Sequence, residues 1–146
     1  LWKARHEALW SAKAMVPGAV AWISDVCVPI SHLSDAIARA RSAIDASGLI
    51  APILGHVGDG NFHVFFILLP DDKAGWEKAG QVYEGMIEHA LSVGGTCTGE
   101  HGIGIGKRQA LLREHGPDSV AVMRRIKEAL DPANLLNPGK IFLDPA

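Results

Sequence analysis

The sequence is poor in features that would stabilise a fold from outside its own core. Its two cysteines, Cys27 and Cys97, could close one bridge at most and form no C-x-x-C pair, which excludes a disulfide framework and leaves reduced, structural thiols as the expectation. No run of about 18 apolar residues occurs, which excludes a membrane-spanning helix. The stretch from Leu1 to Arg5 also lacks the charged-then-apolar order of a secretory signal. A soluble, non-secreted, cytoplasmic chain is expected. Charge of neither sign dominates: 14 Lys and Arg oppose 16 Asp and Glu, so the basic field that holds nucleic acid is missing. There is no opening methionine, and Leu1 runs straight into a helix-like stretch, as a piece of a longer protein would begin.

What the chain has is apolar residues with a regular pattern. With 48% hydrophobic and 21% charged residues, 146 residues can bury one core, so a single domain over residues 1–146 is expected. Helical spacing runs over residues 2–15 and stops at Pro17-Gly18. Residues 20–28, rich in β-branched and aromatic side chains and closed by Pro29, predict one strand. Ser31 can cap a helix over residues 32–47, with Leu33, Ile37, Ala40 and Ile44 as its apolar stripe and Gly48 as its stop. Residues 49–57 and 62–69 predict a hairpin whose second strand is apolar at both parities, hence buried on both faces. Asp71 or Asp72 can cap a helix carrying Trp76, Val82, Tyr83, Met86, Ile87 and Leu91 before Gly94-Gly95. A glycine-rich connection follows over residues 96–106, then two helices, 107–115 and 118–130, on either side of Pro117. This order predicts an α+β fold, an antiparallel sheet with helices packed on one face in a ferredoxin-like split βαβ arrangement, plus C-terminal helices.

The sharpest local pattern is Gly55-His56-Val57-Gly58-Asp59-Gly60-Asn61-Phe62-His63. If Asp59-Gly60 is the two-residue loop of a type I′ turn, Gly58 pairs with Asn61, Val57 with Phe62, and His56 with His63. Directly opposed Cβ atoms lie about 5 Å apart, so both imidazoles could reach one ion, and histidine nitrogen suits zinc or a comparable first-row metal. The other reading is a pair of hydrogen-bonded, half-buried histidines decorating a hairpin. Further on, Gly99-Glu100-His101-Gly102 sets a carboxylate and an imidazole between glycines, in a segment without apolar periodicity. Adjacent side chains on extended backbone point to opposite sides, so Glu100 could ligate the ion while His101 faces a substrate as a base. Here the alternative is an ordinary charged pair on a surface loop. Two histidines and a carboxylate would leave coordination positions open, as a catalytic metal requires.

Two tempting motifs fail. Gly102-Ile103-Gly104-Ile105-Gly106-Lys107-Arg108 lacks the earlier glycine and the Ser/Thr of a phosphate loop, and the third glycine of a dinucleotide fingerprint. What survives there is a helix start whose N–H groups, with Lys107 or Arg108, could attract a carboxylate, against the plainer reading of a solvated Lys-Arg pair. A stand-alone zinc hydrolase would need an H-E-x-x-H helix, and the chain has none.

The hairpin stretch, together with residues 95–104 and Leu136-Asn137-Pro138-Gly139-Lys140, resembles the C-terminal domain of FAD-linked oxidases, flavoenzymes of the vanillyl-alcohol-oxidase type. With Arg5-His6 and residues 24–30, the resemblance covers nearly the whole chain and is strongest to the D-2-hydroxy-acid dehydrogenases. It implies His56, His63 and Glu100 as ligands of a divalent metal, zinc or manganese, and His101 as the base beside the flavin. It further implies Arg5 on the substrate carboxylate, where Lys107 at the helix start is the second expected cation, and Asn137 and Lys140 approaching FAD. FAD itself would be held mainly by an N-terminal domain with no counterpart here, so the isolated fragment is expected to be inactive. Phe65 departs from the hydroxyglutarate branch, which has a polar asparagine at the matching place, and this favours a short acid of the D-lactate or glycolate type. The implied partners are that 2-hydroxy acid and an electron acceptor such as a cytochrome or quinone, with a homodimer compatible. The implied place is the cytoplasm, the periphery of a respiratory membrane, or the mitochondrion in a eukaryote. The competing class is a non-catalytic metal- or ligand-binding module sharing the fold.

Overall fold

The computed structural model describes residues 2–143, and side chains from residue 7 onward. The first helix, α1, spans Trp2–Ala14, close to the range its spacing predicts. The single strand expected over residues 20–28 is two strands, β1 (Val20–Ile23) and β2 (Val26–Cys27). The break falls at Ser24-Asp25, both fully buried. Its cause is a substitution within the ladder. The Ser24 amide donates to the Val64 carbonyl at 3.0 Å, and the Ser24 hydroxyl, in place of a backbone carbonyl, accepts from the Val64 amide at 2.8 Å. The Ser24 carbonyl is thereby released for another partner.

The centre of the four-stranded antiparallel sheet is β4 (Asn61–Leu68), which pairs with all three other strands. Along one edge lie β1, with Val20 opposite Leu68 and Ile23 opposite Phe65, and β2, with Val26 opposite Phe62 and Cys27 opposite Asn61. β3 (Ile53–His56) also pairs with β4. A bridge from Cys27 to Thr96 extends the sheet beyond β2. The fold is therefore α+β, as the element order predicts.

Alternation along β4 defines two faces. Phe62, Val64, Phe66 and Leu68 share one face, each at most 2% exposed. On that side Trp22 meets Phe66, Trp76 and Tyr83 at ring-centroid separations of 5.6–5.8 Å. Trp76 and Tyr83 belong to α3 (Lys73–Ser92), which packs beside α2 (Ile30–Ser47). Burying each such large apolar side chain contributes about 1.5–3 kcal/mol. The opposite face carries Asn61, His63, Phe65 and Ile67. Its apolar end, Phe65 and Ile67, is covered by Ala12 and Val16 at and just beyond α1, together with Ala19 and Ala21. α1 thus adds a helix on the side opposite α2 and α3. The other end of this face is polar, and the candidate site lies there.

α2 begins directly after Pro29 with no side-chain cap, so Ser31 lies inside the first turn rather than before it. Its buried stripe is Leu33, Ala36, Ala40 and Ile44, with Ile37 half-buried, and Gly48 ends it at φ 72° as expected. Asp72 caps α3 by accepting from the Gly75 amide at 2.9 Å. α4 (Arg108–Leu130) is broken at Gly116 (φ 76°, ψ 166°) ahead of Pro117, so the two helices expected on either side of the proline are both present.

Backbone contacts divide the chain into two compact units, residues 1–99 and 100–146. In the second, the segment after α4 is tied back to it. Asp131 accepts from the Lys127 amine and from the backbone amides of Leu135 and Leu136, both at 2.9 Å. The Arg124 guanidinium stacks over Phe142 at 4.9 Å, and the Ile141 amide donates to the Gly104 carbonyl at 2.7 Å. No helix among the described residues is long and apolar enough to cross a membrane.

Candidate metal centre

The hairpin turn differs from the expected two-residue loop. Val57–Asp59 forms one turn of 3-10 helix and Gly60 closes it at φ 75°. A side chain at position 60 would be strained by that φ, and its Cβ would stand 2.0 Å from the Val28 carbonyl oxygen. The longer turn sets the register: His56 opposes Asn61 and Leu54 opposes His63, two residues away from the predicted pairing. Because the side-chain period is two, a shift of two keeps every residue on its face, whereas a shift of one would have separated the histidines. The rings of His56 and His63 stand edge to face with centroids 5.8 Å apart, as diagonal rather than direct neighbours.

His63 is buried, and its Nδ1 lies 3.0 Å from the Ser24 carbonyl that the strand break releases. A carbonyl only accepts, so Nδ1 carries the hydrogen of that bond, and Nε2 is the nitrogen that could ligate an ion. Beside it Asn61 donates from Nδ2 to Asp25 Oδ1 at 2.8 Å and to the Val26 carbonyl at 2.9 Å. Asp25 Oδ2 accepts from the Thr98 hydroxyl at 2.8 Å and the Gly99 amide at 2.9 Å. Gly99 has no room for a side chain, since its Cβ would meet Asn61 Nδ2 at 2.0 Å. Glu100 is the next residue along the chain. His56 and His63 stand on the first unit, and Glu100, a candidate third ligand, is the first residue of the second.

His101 does not point away from Glu100 as extended backbone would require. The chain bends at residues 99–101, and His101 Nε2 lies 3.6 Å from Glu100 Oε1, with each side chain nearly half exposed. Lys107 is buried at the start of α4 and Arg108 donates to the carbonyls of Ile105 and Phe142, so the pair is not the solvated one of the plainer reading. The Arg5 side chain lies outside the described residues. Asn137 and Lys140 both line a cavity of about 340 Å³ within the second unit, with Arg124, Asn134 and Phe142. Cys27 and Cys97 form no disulfide. Burial, followed by the charges of Asp25 and Asp59, pushes the Cys27 thiol up.

Sequence reasoning passed over Ser24, Asp25, Asn61, Tyr83 and Thr98 as members of this network. The available signal was the polar Ser24-Asp25 pair inside an otherwise apolar run.

A family profile described as FAD linked oxidases, C-terminal domain, matches residues 1–141. The chain belongs to that family. It is 47% identical over 142 residues to a protein of Arabidopsis thaliana named D-lactate dehydrogenase [cytochrome], mitochondrial, a match covering 97% of this chain and 25% of the relative. A protein of the same name from Kluyveromyces lactis is 49% identical over 150 residues, covering 99% of this chain and 26% of the relative. The glycolate oxidase subunit GlcD of Bacillus subtilis is 32% identical over 146 residues, covering 100% of this chain and 31% of its own length. The chain thus spans between a quarter and a third of the length of these relatives.

Proposed function

We propose that this chain is the metal- and substrate-carrying portion of a flavin-dependent dehydrogenase that converts a small D-2-hydroxy acid, D-lactate or glycolate, to the 2-keto acid. The observation that carries this reading is the histidine pair His56 and His63, whose rings stand edge to face 5.8 Å apart where the sheet face turns polar; Glu100 is the third ligand of the proposal. Two imidazole nitrogens and one carboxylate oxygen suit zinc or manganese, and three protein ligands leave positions for a substrate. Bound there, a divalent ion would supply the Lewis acidity that eases loss of the substrate's hydroxyl proton. FAD, when bound, supplies the two-electron acceptor for the hydrogen on the substrate's second carbon.

The chain's own residues do the rest. His101 takes the hydroxyl proton onto its ring nitrogen, a task suited to imidazole near neutral pH. Glu100, 3.6 Å from His101 Nε2, has a second oxygen and so can orient that ring while serving the ion. Arg5 and Lys107 hold the substrate carboxylate. Asn137 and Lys140 are the residues that would touch the flavin. Their cavity of about 340 Å³ is near the lower end for small-ligand sites and takes only part of a dinucleotide, in keeping with FAD held mainly elsewhere in a longer protein. A cytochrome or quinone would then reoxidise the flavin, in the cytoplasm, at a respiratory membrane or in the mitochondrion.

The test is anaerobic flavin reduction in the complete flavoprotein. D-lactate or glycolate should bleach the flavin and L-lactate should not, and His101→Asn should abolish bleaching with metal content unchanged. Bleaching by the His101→Asn protein at the normal rate would reject the base, and no bleaching by any 2-hydroxy acid would reject the enzyme in favour of a binding module.

A further inference from the structure

We propose that Asp25 is the positioning residue of this centre, holding the peptide that leads into Glu100 against the strand that bears His63; the inference rests on the reading of His56, His63 and Glu100 as metal ligands. Asp25 is fully buried in the gap between β1 and β2. Its backbone is held by Tyr83, whose phenol oxygen accepts from the Asp25 amide at 3.3 Å and whose hydroxyl faces the Asp25 carbonyl at 3.5 Å. Its carboxylate gathers three neutral donors from two distant segments: Asn61 Nδ2 on Oδ1, and the Thr98 hydroxyl and Gly99 amide on Oδ2. Oδ1 is also 3.8 Å from His63 Nδ1. One buried side chain therefore ties the β4 residues that bear the histidine to the peptide immediately before Glu100. Consecutive Cα atoms are about 3.8 Å apart, so fixing the Gly99 amide confines Glu100 to a small volume.

Two acceptor oxygens are required for this arrangement. All three partners donate, and an asparagine at position 25 would turn its NH₂ group against at least one of them, leaving a buried donor without an acceptor. Partners one step behind metal ligands alter affinity without touching the ion.

The experiment is a cobalt(II) titration of the full chain, followed by the ion's visible absorption, in wild type, Asp25→Asn, Glu100→Ala and the double variant. Asp25→Asn should keep its circular dichroism, bind cobalt about tenfold to a hundredfold more weakly, and show the altered band pattern of Glu100→Ala, which a loss of general stability would not produce. The double variant should bind no more weakly than Glu100→Ala alone, since both changes remove the same ligand. Wild-type affinity and bands in folded Asp25→Asn, or additive losses in the double variant, would overturn the positioning role. Should Asp25→Asn fail to fold, Thr98→Val removes one donor from Oδ2 and must weaken binding a few-fold; unchanged affinity there overturns the role equally. Unchanged binding in His56→Ala and His63→Ala would remove the site and Asp25's role together. Loss of binding in those two beside an unaffected Asp25→Asn would reject the role of Asp25 alone.

Discussion

His63 and Ser24 share a hydrogen bond that exists only because the strand opposite His63 is broken: the Ser24 hydroxyl takes over the ladder position at Val64, and its carbonyl, 3.0 Å from His63 Nδ1, is left to accept from the ring. In the metal-free protein Nδ1 of His63 should therefore carry a hydrogen. Nitrogen NMR of the imidazoles checks this, and addition of zinc should move the Nε2 signal. A ring with its hydrogen on Nε2 would show that the nitrogen facing the ion has been misassigned.

The tail of the second unit depends on Asp131. Hydrogen bonding from Lys127, then from the Leu136 and Leu135 amides, holds its carboxyl below the ordinary 3.8, at about 2. A group whose folded-state pKa is depressed contributes stability that is present above its unfolded value and is lost as pH falls through the folded one. Asp131→Asn should accordingly lower the melting temperature at neutral pH. The gap to wild type should begin to narrow below about pH 4 and close near pH 2. A gap of constant size across that range would mean that packing, not ionisation, is responsible.

Two glycines with similar backbone angles separate strain from collision. Gly48 (φ 72°) ends α2 in open space, while a Cβ on Gly60 (φ 75°) would stand 2.0 Å from the Val28 oxygen. Gly48→Ala should cost about 1 kcal/mol. Gly60→Ala, which must also displace the backbone at Val28, should cost about 3 kcal/mol or more. Urea unfolding of the two variants measures the difference, and equal losses would place the Gly60 turn away from Val28.

The helices were legible because their signals are local. The stripe from Leu33 to Ile44, the stop at Gly48, the cap at Asp72 and the break at Gly116-Pro117 each act within a turn or two of chain. The histidine pair was legible for a different reason: a two-residue error in register leaves both rings on one face. The turn itself was misread, since Asp59-Gly60 suits a type I′ loop while the chain uses Gly60 to close a longer turn that seats Asn61 against Asp25. That contact spans 36 positions, and no local pattern announces it. The strand break has the same origin. Ser24-Asp25 looks like an interruption of an apolar run until its partners arrive from residues 61–64, 83 and 98–99. The opposed orientations expected for Glu100 and His101 failed because the backbone bends there rather than extending.

The most direct measurement is elemental analysis of the purified full chain beside alanine variants of His56, His63 and Glu100, after dialysis against a limiting divalent ion. One equivalent of zinc or manganese in wild type, falling to a small fraction in each single variant while the fold is kept, is the predicted result. Stoichiometric metal retained by all three variants, or none in the wild type at any free-ion concentration, would contradict the account.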